Sequence, residues 1–334
     1  MENEVTLTAL EICAGGGGQA LGLEGAGFEC SAVLEIDAHA CQTLRENRPH
    51  WDVHETDLKE FDATQFKGID LFAGGVPCPP FSVAGKQLGA DDERDLFPTA
   101  LRLVAECDPA AVMLENVRGL SSARFDGYRK GLMTQLVKMG YEPSWQVLYA
   151  KDFGVPQLRP RFVLVAVKEK YADKFAFPTP QKSERTVSEA LYDLVAAHGW
   201  EGAFAWKQKA NKVAPTVVGG SKKHGGADLG PTRAKRQWAD LGVDGKGIAN
   251  APPDSTTDKD QLIRLTLQMV ARIQGFPDEW KFSGGKTAQY RQIGNAFPPP
   301  VAKAVGMSIQ QALHGIPRNY REGDQIDFAL AASG

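Results

Sequence analysis

Short apolar runs rich in β-branched residues alternate with longer stretches that repeat apolar positions every three or four residues through the first half of the chain. Runs at 7–13, 31–36, 69–73, 110–114, 145–149 and 162–167 read as strands, and 38–47, 95–106 and 128–139 read as helices. Val53-His54-Glu55-Thr56 reads as a further short strand. Strands and helices in turn predict an α/β fold: a doubly wound, mostly parallel sheet with helices on both faces. Ligands of such sheets bind beyond the carboxyl ends of the strands, and two turns of unusual composition fall there. After residue 177 the pattern changes. Pro178-Thr179-Pro180 reads as a linker, and glycine and proline pairs (Gly219-Gly220, Gly225-Gly226, Pro252-Pro253) break 181–277 into loops. The segment 301–314 returns to a helical pattern.

Composition narrows the class. A chain of 334 residues, 43% hydrophobic, can bury a sizeable core and suggests two domains. The formal net charge of -3 gives no global attraction to nucleic acid, so such a partner must meet a local patch. One exists: 207–236 holds eight Lys or Arg against a single acid, Asp228. The absence of a membrane-length apolar run and of a signal-peptide pattern leads to the expectation of a soluble cytoplasmic protein with no membrane partner. The cysteines, Cys13, Cys30, Cys41, Cys78 and Cys107, are odd in number and contain no C-x-x-C pair, which favours reduced thiols. His50 and His54 have no third ligand near them in sequence, so no metal is expected.

The first unusual turn follows the first strand. Residues 9–14 run into Gly15-Gly16-Gly17-Gly18-Gln19-Ala20, a strand, a glycine turn and the start of a helix. Gly15-x-Gly17-x-x-Ala20 fits the dinucleotide pattern, with Glu35 20 residues beyond Gly15, where an acid binds a ribose hydroxyl. NAD and S-adenosylmethionine both carry an adenosine, and the turn suits either. Asp57, after the short third strand, is placed to receive an adenine amino group.

The second turn is Gly74-Gly75-Val76-Pro77-Cys78-Pro79-Pro80-Phe81-Ser82, in which prolines stiffen the backbone around one thiol. Glu115-Asn116-Val117 follows the run ending at 114, and Gln157-Leu158-Arg159-Pro160-Arg161 precedes the run starting at 162. Near the end stands Gln289-Tyr290-Arg291-Gln292-Ile293-Gly294-Asn295-Ala296-Phe297-Pro298-Pro299. A thiol, a carboxyl, a guanidinium and an amide form the inventory for attack on an aromatic heterocycle.

These segments, in this order, resemble the DNA (cytosine-5)-methyltransferases of bacterial restriction-modification type along nearly the whole chain. Residues 10–18 resemble the S-adenosylmethionine glycine motif, Pro77-Cys78 the nucleophile motif, Glu115-Asn116-Val117 the acid motif and Gln157-x-Arg159-x-Arg161 the paired-arginine motif. Arg264-Leu265-Thr266 with 271–277 resembles the segment that shapes the recognition domain, and 294–299 the last motif. Cys13 stands where the family usually has an aromatic residue, and Gln268-Met269 where Arg-Glu is common.

The resemblance implies an enzyme that flips a cytosine out of a short duplex DNA site and methylates its C5. Cys78 adds to C6, Glu115 serves N3, Arg161 binds O2, and Arg159 orients the thiol or the acid. The cofactor is S-adenosylmethionine, expected at Glu11, Cys13, Ala14, Gly15, Gly17, Gly18, Glu35, Ile36, Asp57, Leu58, Pro77 and Asn295. Asn295 also suits the N-cap of a helix starting near Pro300. The loop 82–94 is implied to close over DNA, with Ser82 and Gln87 as contacts, and Lys222, Lys223, Arg233, Lys235 and Arg236 are the expected phosphate or guanine contacts. The implied layout is a catalytic domain of 1–177 and 287–334 and a target-recognition domain of 178–286, acting as a monomer beside a possible cognate endonuclease. A tRNA cytosine-5 methyltransferase and a catalytically silent DNA-binding regulator are the alternatives.

Overall fold

The computed structural model describes residues 6–77, 95–180, 184–220 and 226–316. Its centre is a seven-stranded sheet made of β1 (Leu7–Ile12), β2 (Phe28–Glu35), β3 (Val53–Glu55), β4 (Leu71–Gly75), β5 (Ala111–Val117), β6 (Tyr141–Tyr149) and β7 (Pro160–Lys168), in the order β3-β2-β1-β4-β5-β7-β6. The first five strands are parallel, and β7 runs antiparallel to both β5 and β6. The reversal has a simple cause. Only residues 150–159 join β6 to β7, too few for the helical crossover that a parallel return requires.

Central strands are buried on both faces, which is why they read as near-continuous apolar runs. Leu10, Ile12, Phe72, Val112 and Leu114 pack on one side under α3 (Phe97–Cys107) and α4 (Asp126–Lys138), through Leu101, Val104, Leu132 and Leu136. Ala9, Leu71, Ala73, Met113 and Val165 pack on the other under α1 (Gly18–Gly25) and α10 (Pro299–Leu313), through Leu23, Val301, Val305 and Ile309. The helix α2 (Ala38–Asn47) follows β2 and is capped by Asp37, whose carboxylate accepts from the His39 and Ala40 amides.

Boundaries differ from the sequence pattern where polar residues enter strands. Glu115 and Asn116 were expected just past a strand, yet both lie within β5, paired with Val163 and Phe162. Likewise β2 begins at Phe28 and β6 at Tyr141, ahead of their apolar runs. The region after 177 carries α5 (Val187–Ala196), α6 (Ala203–Lys209), α7 (Thr232–Asp240), α8 (Leu267–Ile273) and α9 (Lys286–Asn295) between loops. Its apolar side chains Val187, Leu191, Trp206, Trp238 and Ile273 share one cluster with Ala20, Leu44 and Trp51 from α1, α2 and the loop before β3.

Candidate active site

The sheet order turns back between β1 and β4, and a cavity of about 420 Å³ opens above the carboxyl ends of these strands and of β2 and β5. Glu11, Cys13, Ala14, Gly15, Glu35, Ile36, Asp57, Leu58, Pro77, Glu115, Arg161 and Asn295 line it, which gathers most of the positions expected from sequence into one site.

One half is built by the glycine turn. Gly15 has φ 55, and its N–H donates to Glu35 Oε2 at 2.7 Å. The other oxygen, Oε1, accepts from the Ile36 and Asp37 amides at 2.8 Å each. Glu35 therefore ties the end of β2 to the turn after β1. Asp57 lies on the β3 side, its Oδ1 accepting from the Lys59 amide at 2.9 Å. Ile36 is 63% exposed beside it, an apolar surface left open at the cavity rim. Cys13 adopts φ 54, and burial followed by the charge of Glu35 pushes its thiol well up, so it stays protonated.

Gly17 and Gly18, also expected at the cofactor, do not line the cavity. A Cβ on Gly17 (φ 83) would sit 2.8 Å from Leu44 and Trp280, and one on Gly18 would sit 2.3 Å from the Phe297 carbonyl oxygen. These glycines admit the 280–297 segment against the turn, a close approach that removes room for any side chain. Gly16 lines the cavity instead, and its carbonyl accepts from Trp280 Nε1 at 3.1 Å.

The other half holds an ion pair. Glu115 stands opposite Val163, so Arg161, two residues earlier on β7, shares its face of the sheet. Arg161 Nε meets Glu115 Oε1 at 2.8 Å, with side-chain exposures of 13% and 11%. Burial raises the Glu115 carboxyl above its ordinary value, and Arg161 and then Arg159 oppose that rise. Asn116 points the other way and donates from Nδ2 to the Val76 carbonyl at 2.9 Å, fixing the backbone that enters Pro77.

Arg159 was expected to orient the thiol or the acid; its described hydrogen bonds go to backbone carbonyls. It is fully buried at φ 25, and its guanidinium donates to the carbonyls of Val217 (2.8 Å), Gly294 (2.8 Å) and Ala296 (2.7 Å). It clasps the loop at 217 to the end of α9. There Gly219 and Gly294 meet backbone to backbone, a Cβ on Gly294 falling 2.5 Å from the Gly219 Cα. Asn295 completes the junction by donating to the Gly220 carbonyl at 3.1 Å. It is the last residue of α9 rather than the cap of α10, whose N-cap is Pro298.

Several lining residues were given no task by the sequence pattern, among them Gln19, Asn116 and Arg291. Gln19 sits in the first turn of α1, where a single-sequence pattern shows only a helix start. Asn116 and Arg291 lie inside segments that sequence singled out, but residue type alone gave them no task. Arg291 Nη2 pairs with Asp37 Oδ2 at 3.4 Å.

Of the expected DNA contacts, Arg233 and Arg236 are exposed on α7. Lys235 differs: its ammonium pairs with Asp228 Oδ2 at 3.0 Å, which ties it to its own region. Cys78, Ser82, Gln87, Lys222, Lys223 and the loop 82–94 fall outside the described residues.

A cavity at the turning point of a doubly wound sheet, with an adenosine-type glycine turn and a buried acid–guanidinium pair, defines an enzyme site of the nucleotide-using α/β class. Comparison with known proteins specifies it. The profile of the family described as C-5 cytosine-specific DNA methylase matches residues 7–311. The type II methyltransferase M.NaeI of Lentzea aerocolonigenes is 57% identical over 329 residues, covering 97% of this chain and 78% of that protein. The type II methyltransferase M.NgoMIV of Neisseria gonorrhoeae is 54% identical over 310 residues, covering 92% and 98%. Among solved structures, the Entamoeba histolytica methyltransferase EhMeth shares the fold with a TM-score of 0.65 at 16% identity, covering 93% of this chain and 99% of that one. A DNMT2 mutant from Spodoptera frugiperda gives 0.64 at 16% identity, covering 91% and 99%. The chain belongs to the C-5 cytosine-specific DNA methylase family.

Proposed function

We propose that this chain is a modification methyltransferase of a restriction-modification system, moving a methyl group from S-adenosylmethionine to C5 of a cytosine in a short duplex DNA site. The observation that carries this reading is the Glu115–Arg161 pair, buried in the same cavity as the acid-lined glycine turn and next to Pro77.

The lining fits the cofactor by charge. Five carboxylates (Glu11, Glu35, Asp37, Asp57 and Glu115) face two guanidinium groups, Arg161 and Arg291. Both arginines are paired, with Glu115 and Asp37, and among the described residues Glu11, Glu35 and Asp57 have no ion pair. Such a field favours a ligand with a sulfonium and an ammonium and opposes the pyrophosphate of a dinucleotide. Glu35 and Asp57 would hold the ribose and adenine, with Ile36 and Leu58 packing on the base. Bound S-adenosylmethionine supplies an electrophilic methyl group whose transfer leaves a neutral thioether.

The chain's own residues activate the acceptor. The target base is buried in its duplex and must first rotate into the cavity. The Cys78 thiolate then adds to C6, and Glu115 delivers a proton to N3 as charge builds there, leaving an enamine at C5. A carboxyl raised by burial is suited to carry that proton. Arg161 is held by Glu115 through Nε, and its guanidinium would bind O2. After methylation water takes the C5 proton, its C–H electrons form the C5–C6 double bond as the C6–S bond breaks to restore the thiolate, and N3 returns its proton to the Glu115 carboxylate.

Residues 178–286 would read the target sequence, with Arg233 and Arg236 on phosphates or guanines, while 1–177 and 287–334 form the catalytic part of a monomer. The identity to two type II methyltransferases favours DNA over tRNA as acceptor. Tritiated S-adenosylmethionine tests this: label should enter duplex DNA and not tRNA, and become 5-methylcytosine on hydrolysis. Label in tRNA alone would overturn the assignment.

A further inference from the structure

We propose that α7 lies in the major groove of the duplex, with Arg233 and Arg236 on flanking phosphates and Gln237 bonded to a base edge, so that Gln237 selects one base pair of the target site. The proposal rests on duplex DNA being the acceptor, and it adds a reading helix and a specificity-determining residue.

The two faces of α7 are built for different neighbours. Trp238 is fully buried, Ala234 and Lys235 are half-buried, and the Trp238 carbonyl accepts from the Val243 amide at 3.0 Å. A Cβ on Gly245 would lie 3.1 Å from Lys235 Cγ, so that segment presses on the lysine stem, while the ammonium pairs with Asp228 at 3.0 Å. These contacts hold a helix of 9 residues that would be marginal alone. Arg233, Arg236, Gln237 and Asp240 recur at helical spacing and form the opposite face, all exposed. Among the described residues, the side chains of Arg233, Arg236 and Gln237 have no hydrogen bond and no ion pair. The cation on the packed face is neutralised within the chain, and those on the open face are left for a partner.

Charge and order along the open face select that partner. Arg233 and Arg236 stand ahead of Gln237, and Asp240 ends the helix. The leading half attracts phosphate, helped by the partial positive charge of the unpaired amides at its start, and the trailing end repels it. Recognition helices enter a major groove with that leading end on the bases. Gln237, one turn beyond Arg233, is uncharged and shorter than an arginine. Its amide offers an acceptor and two donors, the set that bonds a base edge bidentately.

Place agrees with charge. A Cβ on Gly230, just ahead of α7, would lie 3.4 Å from Val218 Cγ2 and 3.6 Å from Ala234 Cβ. Val218 follows Val217, whose amide donates to Gln157 Oε1 at 2.7 Å and whose carbonyl is held by Arg159. Two residues further on, the Gly220 carbonyl is held by Asn295 at the cavity wall. The helix therefore starts near the cavity that takes the flipped base. At a rise of about 1.5 Å per residue it runs for roughly 13 Å, which matches about four base-pair steps.

Methylation of a random duplex library, followed by bisulfite sequencing, gives the base preference at every position around each modified cytosine. The unmodified enzyme should show a defined site. Gln237→Ala should relax the preference at a single position by about 5- to 150-fold, the range for one bidentate side chain–base contact, and keep the others. Gln237→Glu retains the shape, loses the donors, and should change the preference at that same position. Arg233→Ala and Arg236→Ala should lower filter binding of all sequences alike. Unchanged preference throughout in Gln237→Ala, an equal loss at every position, or effects of the two Gln237 variants at different positions would overturn the proposal. No methylation of any duplex by the unmodified enzyme would overturn duplex DNA as the acceptor, a distinct result.

Discussion

Replacing Arg161 by leucine isolates the energetics of the buried pair. Its guanidinium lies 2.8 Å from Glu115, with both side chains nearly sealed from water. Breaking a buried pair by removing one partner costs about 3–5 kcal/mol, because the remaining charge is left uncompensated. At roughly 2 °C per kcal/mol for a chain of this size, Arg161→Leu should lower Tm by about 6–10 °C at pH 8. The loss should depend on pH. Burial already raises the Glu115 carboxyl, and Arg161 is the larger of the charges that restrain it. An acid raised in the folded state destabilises the fold as pH climbs from its unfolded value through its folded one, because the folded form binds more protons in that window. Without Arg161 the window extends upward, so the penalty should be large at pH 8 and smaller at pH 5.5, where Glu115 can take a proton. Glu115→Gln combined with Arg161→Leu removes the stranded charge and should regain most of the lost stability. Scanning fluorimetry at both pH values, with circular dichroism to confirm folding, reads the outcome. An equal loss at both pH values, or no recovery in the double variant, would refute the reasoning.

Other perturbations test other joints. Gly18→Ala sets a methyl 2.3 Å from the Phe297 carbonyl, so it should cost about 1–3 kcal/mol or more, seen as a lower urea midpoint, although Gly18 does not line the cavity. Glu35→Gln leaves one acceptor oxygen for three backbone amides now shared between two, and should weaken S-adenosylmethionine about 10- to 100-fold by calorimetry. Arg233→Ala and Arg236→Ala should each flatten the salt dependence of duplex binding by about 1 in slope. Lys235→Ala should change that slope less, because the ammonium already serves Asp228; filter binding across a salt series compares the three.

How much of this was legible in the sequence follows the reach of each signal. The parallel strands announced themselves because strands buried on both faces are apolar throughout, and the cavity lies where such sheets place ligands. The spacing of 20 residues singled out Glu35 as a ribose acid, but not its hydrogen bond from Gly15, which only the fold brings about. Arg159 was not legible: its partners at 217, 294 and 296 are distant in sequence, and no pattern tells an arginine aimed at a ligand from one that clasps three carbonyls. The packing tasks of Gly17 and Gly18 were hidden for a related reason. A glycine required by Trp280 or Phe297 looks, in sequence, the same as one required by a cofactor. Gln19 was silent because burial, not residue type, makes it notable. The strand containing Glu115 ran further than its apolar run, since backbone pairing to β7 continues under polar side chains.

The central claim is a transient bond between the sulfur of Cys78 and C6 of a cytosine. Duplex DNA with 5-fluorocytosine at the target position cannot release the enzyme after methyl transfer, because fluorine blocks the final loss of a proton at C5. Incubation with S-adenosylmethionine, digestion and peptide mass spectrometry should place the adduct on the peptide containing Cys78, with none formed by Cys78→Ser. An adduct on Cys13 or another cysteine, or full methyl transfer by Cys78→Ser, would contradict the account.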